Sequence, residues 1–223
     1  MDKKLFCEAI IKYVSGLIVV GLLIFLPAGT FNYWNGWLLM GLLFIPMFIA
    51  GIIMLFRNPE LLKSRLSAKE KESEQKEVIL YSGIMFLLGF ILAGFNYRYK
   101  WIELSNIIVI IASILFIISY LLYGIVLKEN AYLLRTIEVK KNQKLIDTGL
   151  YGIVRHPMYM ATIILFLSMP LILGSLISFI VFLVYPFIII KRIKNEEKVL
   201  EKELDGYVEY KKRVKYHLIP YIW

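Results

Sequence analysis

Residues Met158–Ile190 read MYMATIILFLSMPLILGSLISFIVFLVYPFIII, a run of 33 residues without a charged side chain. A hydrocarbon core of about 30 Å takes about 20 residues of helix, so the run is too long for one ordinary span. Pro170 and Gly174 lie near its middle, and both favour a break: proline removes a helical donor and glycine favours a turn. The reading is a helical hairpin with a short first arm. Met158–Met169 would rise only about 18 Å at 1.5 Å per residue. That arm either borrows residues from Gly152–Pro157 or enters the membrane without crossing it fully. Both ends of the hairpin then lie on one side, where cations flank it: Arg155 and His156 in TGLYGIVRHPMYMA (Thr148–Ala161), and Lys191 and Arg192 after it.

Working outward, further apolar runs lie near Tyr13–Ala28, Trp34–Phe56, Val78–Phe95 and Leu104–Leu127. The composition agrees: 59% of the 223 residues are hydrophobic, and the mean hydropathy is +0.69. The expected fold class is an all-α integral membrane protein. It comprises about four transmembrane helices, a C-terminal helical hairpin and a cytoplasmic amphipathic helix. Residues 1–127 supply the N-terminal transmembrane helices, and residues 128–223 a core of loop, hairpin and C-terminal helix. Lys3 and Lys4 before an apolar stretch imitate a signal peptide, but Lys12 interrupts it and more spans follow, so a retained first helix is expected.

The net charge of +9 could point to nucleic acid, but the basic residues sit in blocks between apolar runs. The segments Met1–Lys12, Arg57–Glu77, Lys128–Pro157 and Lys191–Trp223 hold 24 of the 26 Lys and Arg; the alternate loops hold only Arg98 and Lys100. The positive-inside rule therefore puts both termini and the large loops in the cytoplasm. The charge reads as topology, with no nucleic-acid partner and no obligate protein partner implied. Arg57–Glu77, with charges of both signs interleaved, reads as a solvated or interfacial linker.

The single cysteine, Cys7, excludes an intrachain disulfide and the multi-cysteine zinc and iron–sulfur sites, and two histidines are too few to suggest a metal. GxGxxG after a strand, a P-loop, HExxH and GxSxG are all missing. Chemistry must therefore come from membrane helices and the segments beside them. His156 before Pro157 can simply mark a helix start at the interface, since proline suits the first helical position. Alternatively the helix N-terminus, with Arg155 or His156 near it, holds an anionic ligand group. After the hairpin, Ile193, Leu200, Leu204 and Tyr207 share a helical face, so an amphipathic helix is expected from the membrane exit to about Asp205–Gly206 or a turn later. Glu197 falls on that apolar face, where it either snorkels or points at a cation. Arg192 and Glu196 are spaced i, i+4 in the less favourable order for a helical ion pair.

The ordered set RHPxY, a Pro/Gly-broken hairpin, R-x-x-x-EE, GYxEYxxRV and LIP resembles the isoprenylcysteine carboxyl methyltransferase family, relatives of the phospholipid N-methyltransferases. The resemblance covers about residues 128 to 223. It implies an S-adenosylmethionine-dependent enzyme, with cofactor contacts at Gln143, Lys144, Leu145, Ile146, Tyr151, His156, Pro157, Met158, Tyr159 and Glu196. Arg192 matches the position facing the methyl acceptor. Where the family usually has RHPxYxG, this chain has Ala161, which implies slightly altered packing.

S-adenosylmethionine carries a carboxylate, an ammonium, an adenine and a sulfonium, and the RHP segment, Glu196 and the tyrosines offer chemistry for each. The implied partner is a lipophilic or lipidated substrate from the bilayer, besides membrane lipids. A carboxylate acceptor needs no base. An amine acceptor, as in a phospholipid N-methyltransferase, needs one, and Glu197 is the visible candidate. A relative of the membrane sterol reductases, binding a nicotinamide cofactor, and a non-catalytic membrane protein are the other readings.

Overall fold

The computed structural model describes residues 3–66, 73–130, 139 and 143–223. Regular structure among them is helical: α1 (Lys3–Ala28), α2 (Trp34–Arg57), α3 (Pro59–Leu66), α4 (Ser73–Tyr99), α5 (Asn106–Glu129), α6 (Pro157–Ile172), α7 (Leu176–Phe182), α8 (Tyr185–Glu203) and α9 (Tyr207–Arg213), with a 3₁₀ turn at Gly149–Gly152. Five helical stretches are long and apolar enough to cross a membrane: α1, α2, Lys76–Tyr99 of α4, α5, and the stretch Leu176–Glu203 made by α7 and α8. The chain is an all-α, multi-pass integral membrane protein.

Each long helix is sorted by which face needs a protein partner. In α5, Val109, Ala112, Phe116, Ser119 and Val126 are buried, at helical spacing, and the helix packs most extensively on α6. Its other face leaves Ile107, Ile110, Ile114, Leu121 and Ile125 exposed. An apolar exterior of this extent suits hydrocarbon as solvent and would be a liability in water.

Close helix approach depends on two glycines of α4. A Cβ at Gly94 would lie 2.6 Å from the Ile24 carbonyl oxygen of α1, and one at Gly89 would lie 2.2 Å from the Phe182 ring of α7. Such small-residue contacts let helices approach where no hydrophobic effect drives them together. We expect Gly94→Ala to force α1 and α4 apart, at a cost of about 1–3 kcal/mol. Thermal unfolding in detergent reads this as a lowered midpoint; an unshifted midpoint would show that the crossing has slack.

The hairpin break falls at Leu173–Ser175, with Gly174 in the left-handed region at φ +70°. The start of α2 and the loops at the same end of the bundle secure it. Asn35 Nδ2 donates to the Ile172 carbonyl at 2.8 Å, the Tyr33 hydroxyl donates to Leu173 O, and Leu104 N donates to Gly174 O at 3.4 Å. The first arm is longer than Met158–Met169. It starts at Pro157 and runs 16 residues, about 24 Å, to reach the loops opposite the RHP segment.

Two expectations change. The helix after the hairpin is not a separate element: α8 runs unbroken from Tyr185, within the apolar run, to Glu203 in the charged segment. Straight-chain Lys and Glu residues favour helix, so nothing at Lys191 stops it. The segment after α2 is also more than a solvated or interfacial linker in its described part, residues 67–72 lying outside the described residues. Asn58 accepts from Leu61 N at 3.1 Å and Pro59 starts α3, an asparagine cap followed by proline at the first position. Leu62 is buried against Leu5 and Leu55, so α3 docks on α1 and α2.

Candidate cofactor and substrate site

Arg155 and His156 meet Glu197 at the base of α6. Arg155 Nε donates to Glu197 Oε1 at 2.7 Å, and His156 Nε2 lies 3.1 Å from the same oxygen. All three residues are buried, and Lys211 of α9 reaches Glu197 Oε2 at 3.0 Å. Glu197 therefore points at cations and does not snorkel. Arg155 and His156 thus hold this internal carboxylate, and both also line the cavity described below. These partners offset the hydration that the buried carboxylate loses.

The same guanidinium ties down the segment after α9. Arg155 Nη1 donates to the carbonyls of Val214 (2.7 Å) and Lys215 (2.8 Å), and Nη2 lies 2.6 Å from His217 Nε2. Backbone bonds run alongside, from Arg155 N to Tyr216 O and from His156 N to His217 O, each 2.9 Å. Arginine has no acceptor, so His217 Nε2 must be the acceptor in a neutral imidazole protonated at Nδ1. Desolvation, then the Arg155 charge, lower the His217 pKa, so its 3.6 Å approach to Glu197 is not an ion pair at neutral pH.

The lowered pKa sets the sign of the pH effect. A histidine kept neutral by folding contributes its full stability above its unfolded pKa of about 6.5, and loses it as pH falls from there toward the lower folded value. We expect the unfolding midpoint to fall below about pH 6.5 and His217→Gln to flatten that part of the profile. An unchanged slope in the variant would remove His217 from the account.

The other half of the site faces a cavity of about 890 Å³. The Tyr159 hydroxyl donates to Glu196 Oε2 at 2.5 Å and accepts from Arg192 Nε at 2.8 Å, so one phenol joins α6 to two turns of α8. Gln143, Lys144, Leu145, Ile146, Tyr151, His156, Met158, Tyr159, Arg192 and Glu196 all line this cavity. Two motif residues are not in its wall. Pro157 is buried as the first residue of α6, and Glu197 turns into the Arg155 cluster. Ala161 is fully buried at the α6 packing surface.

The loop 143–146 is positioned by packing. Leu145 joins Leu200, Leu204, Tyr207, Tyr210 and Val214 in a small core, and Arg213 Nη2 reaches Asp147 at 2.7 Å. The Tyr210 hydroxyl donates to Tyr151 O at 2.8 Å, and Asn130 Nδ2 donates to the Tyr151 hydroxyl at 3.1 Å. At Gly149 (φ +57°) a Cβ would lie 2.3 Å from the Glu129 carboxylate, which accepts from Leu150 N at 3.0 Å. Only glycine fits there.

Burial, foremost, pushes the phenols of Tyr151 and Tyr207 well above their usual range, with Glu196 adding to both. They stay neutral and serve the cavity as aromatic walls with a donor.

Beyond these residues the cavity continues between α1, α2, α4, α5 and α8 into apolar territory, where Met47, Met54, Phe86, Tyr120, Phe166 and Ile189 form its walls. Arg65 of α3 also lines it, which the charge pattern of Arg57–Glu77 did not suggest. The readable signal was local: Asn58-Pro59 as a helix start, with Leu62 and Leu66 four apart, puts Arg65 beside an apolar stripe.

Two comparisons bear on this arrangement. Over 93 residues the chain is 33% identical to the mouse (Mus musculus) Delta(14)-sterol reductase TM7SF2, an alignment taking in 40% of this chain and 22% of that protein. The chain thus spans about a fifth of the length of that curated relative. Residues 106–202 match the model of the isoprenylcysteine carboxyl methyltransferase (ICMT) family. That stretch takes in α5, the segment bearing Tyr151 and His156, α6 with Tyr159, α7, and nearly all of α8 with Arg192 and Glu196, and it is over this part, somewhat under half of the chain, that the protein is similar to the isoprenylcysteine carboxyl methyltransferase family.

Proposed function

We propose that the protein is an S-adenosylmethionine-dependent methyltransferase acting on a lipophilic substrate from the bilayer, with carboxyl methylation of an isoprenylcysteine-like acid as the favoured reaction. The observation that carries this reading is the single cavity that joins Glu196, Tyr159 and Arg192 to an apolar interior. A water-soluble donor and a membrane-dissolved acceptor can meet there. The residues present fit the cofactor. Glu196 offers an acid for its ammonium, Tyr151 and Tyr207 offer aromatic faces for its sulfonium and adenine, and the volume lies in the range of small-molecule sites.

When bound, S-adenosylmethionine supplies a methyl group on a sulfonium. The chain's own residues do the rest. Gln143–Ile146, Tyr151, His156, Met158, Tyr159 and Glu196 hold the cofactor, with Pro157 fixing the first turn of α6. Arg192 orients the acceptor carboxylate, which is ionised at neutral pH and needs no base. Alignment is then the main contribution. Glu197, already committed to Arg155, His156 and Lys211, is poorly placed to take a proton from an amine, which supports carboxyl over phospholipid N-methylation. The Lys and Arg distribution puts the site and both termini on the cytoplasmic side.

The likeness to a sterol reductase favours one other reading, reduction of a lipid with a nicotinamide cofactor. Ligand binding separates the two. We expect saturating S-adenosylhomocysteine to raise the unfolding midpoint of purified protein, by about 2.7 kcal/mol in stability at a hundredfold excess over Kd. A shift from NADPH and none from S-adenosylhomocysteine would reverse the assignment.

A further inference from the structure

Arg65 projects from α3 into the cavity, and its Nε and Nη2 are buried yet meet no hydrogen-bond partner among the described residues. Its guanidinium carbon lies 5.8 Å from the centroid of the Tyr123 ring, which also lines the cavity. Arg65 as a whole is half-buried, but its two buried nitrogens are costly, because burial removes their water and no hydrogen bond among the described residues replaces it. Lys12 stands at the same wall. Its ammonium donates to the Leu66 carbonyl at the end of α3 and to Glu8, each at 2.6 Å. It thereby fixes α3 and adds positive charge beside Arg65.

A second, independent observation concerns the apolar part of the same cavity. Gly51, Gly83 and Gly124 line it from three different helices, and a Cβ built at any of them meets nothing within 4 Å. These positions differ from Gly89 and Gly94, where packing forbids a side chain. Glycine inside a helix costs about 0.5–1 kcal/mol relative to alanine. No neighbour demands glycine at the three sites, so what they provide is open volume.

We propose that Arg65 selects the substrate class. It takes the carboxylate or phosphate of a single-chain amphiphile whose hydrocarbon occupies the space between α2, α4 and α5 left open at Gly51, Gly83 and Gly124. An anion at Arg65 supplies the partner its buried nitrogens lack, and the planar fork suits carboxylate and phosphate geometry. A neutral lipid of the same length fills the chamber and leaves the guanidinium unpaired. This deepens the methyl-transfer reading and rests on it for the chemistry after binding. Arg192, joined to Tyr159 and Glu196, is a different group on a different helix; its role is to align an acceptor carboxylate for transfer, whereas Arg65 supplies the preference for an anionic head group at binding.

The test uses full-length protein in a neutral maltoside detergent, titrated with hexadecanoate, hexadecyl phosphate, hexadecanol and inorganic phosphate, and read by intrinsic fluorescence and thermal midpoint. We expect both anionic amphiphiles to bind at least tenfold more tightly than hexadecanol, and inorganic phosphate to bind weakly. The stronger of the two anions identifies the head group. Arg65→Gln should bring the anions within about twofold of the alcohol and leave S-adenosylhomocysteine binding unchanged. Gly124→Leu, which keeps Arg65 and fills the chamber, should weaken hexadecyl phosphate at least tenfold. Equal binding of alcohol and anions by the wild type, or an anion preference surviving in Arg65→Gln, overturns the proposal; so does undiminished binding by Gly124→Leu. If S-adenosylhomocysteine binds neither wild type nor variant while the anion preference depends on Arg65, the methyl-transfer reading fails and the Arg65 assignment stands.

Discussion

Arg155→Ala should lower stability by about 3–5 kcal/mol, because it removes the cation from a buried pair and leaves the carboxylate behind. Glu197 would keep His156, Lys211 and a long bond from the Tyr207 hydroxyl, and the carbonyls of Val214 and Lys215 would lose their donor. The loss is directional. Arg155 is the point where the start of α6, the charged half of α8 and the segment after α9 are bound together. Limited proteolysis should therefore cut between Val214 and Trp223 in the variant before it cuts the helices. Arg155→Lys keeps a positive charge but cannot reach Glu197, two carbonyls and His217 at once, so it should fall between wild type and alanine. An alanine variant unfolding within about 1 °C of wild type would mean that this cluster adds nothing to stability.

The hairpin was legible because its signals are local. The run Met158–Ile190 is too long for one helix, and Pro170 and Gly174 mark where the chain turns; the turn falls at Leu173–Ser175. The burial of α5 was not legible, since Ile107, Val109, Ile110 and Ala112 are all apolar. In lipid, hydrophobicity does not tell an inward face from an outward one. Size does part of that work, as at Gly94, Gly89 and Ala112, but only once the neighbouring helix is known.

For the site, motif order brought together residues 143–196, and the cavity shows why that order matters. The loop before the hairpin, the start of its first arm and the end of its second arm form one wall. What spacing could not give was the destination of each charge. Glu196 and Glu197 are adjacent in sequence yet diverge by about 100° on a helix, one toward Tyr159 and the cavity, the other toward Arg155. Arg65 lay in a segment whose mixed charges resemble any wet surface. Its placement depends on α3 docking through Leu62 against Leu5 and Leu55, a contact between distant parts of the chain.

Glu196→Gln and Arg192→Ala should separate cofactor binding from turnover. Glu196 lies on the cavity wall with one oxygen bonded to Tyr159, so its remaining acceptor capacity is available to an ammonium. Removing its charge should cost S-adenosylhomocysteine about 2 kcal/mol or more, roughly thirtyfold in Kd, as expected when a hydrogen-bonded charge pair is broken. Arg192→Ala should change that affinity less than threefold and abolish methyl transfer, because its proposed partner is the acceptor. Arg192→Lys should rescue little, since a point charge does not align a carboxylate as a fork does. Tyr159 couples the two, accepting from Arg192 and donating to Glu196, so Tyr159→Phe should damage both readouts moderately, with its hydroxyl lost from each side. Calorimetry with S-adenosylhomocysteine and transfer of a radiolabelled methyl to a prenylated cysteine acid measure the two quantities independently. An Arg192→Ala protein with full turnover would return Arg192 to the ordinary role of a basic anchor at the end of a membrane span. Equal loss of cofactor affinity in both variants would instead make Arg192 part of the cofactor site, and would leave Arg65 as the remaining cation on the cavity wall with buried, unpartnered nitrogens among the described residues to meet an anionic acceptor.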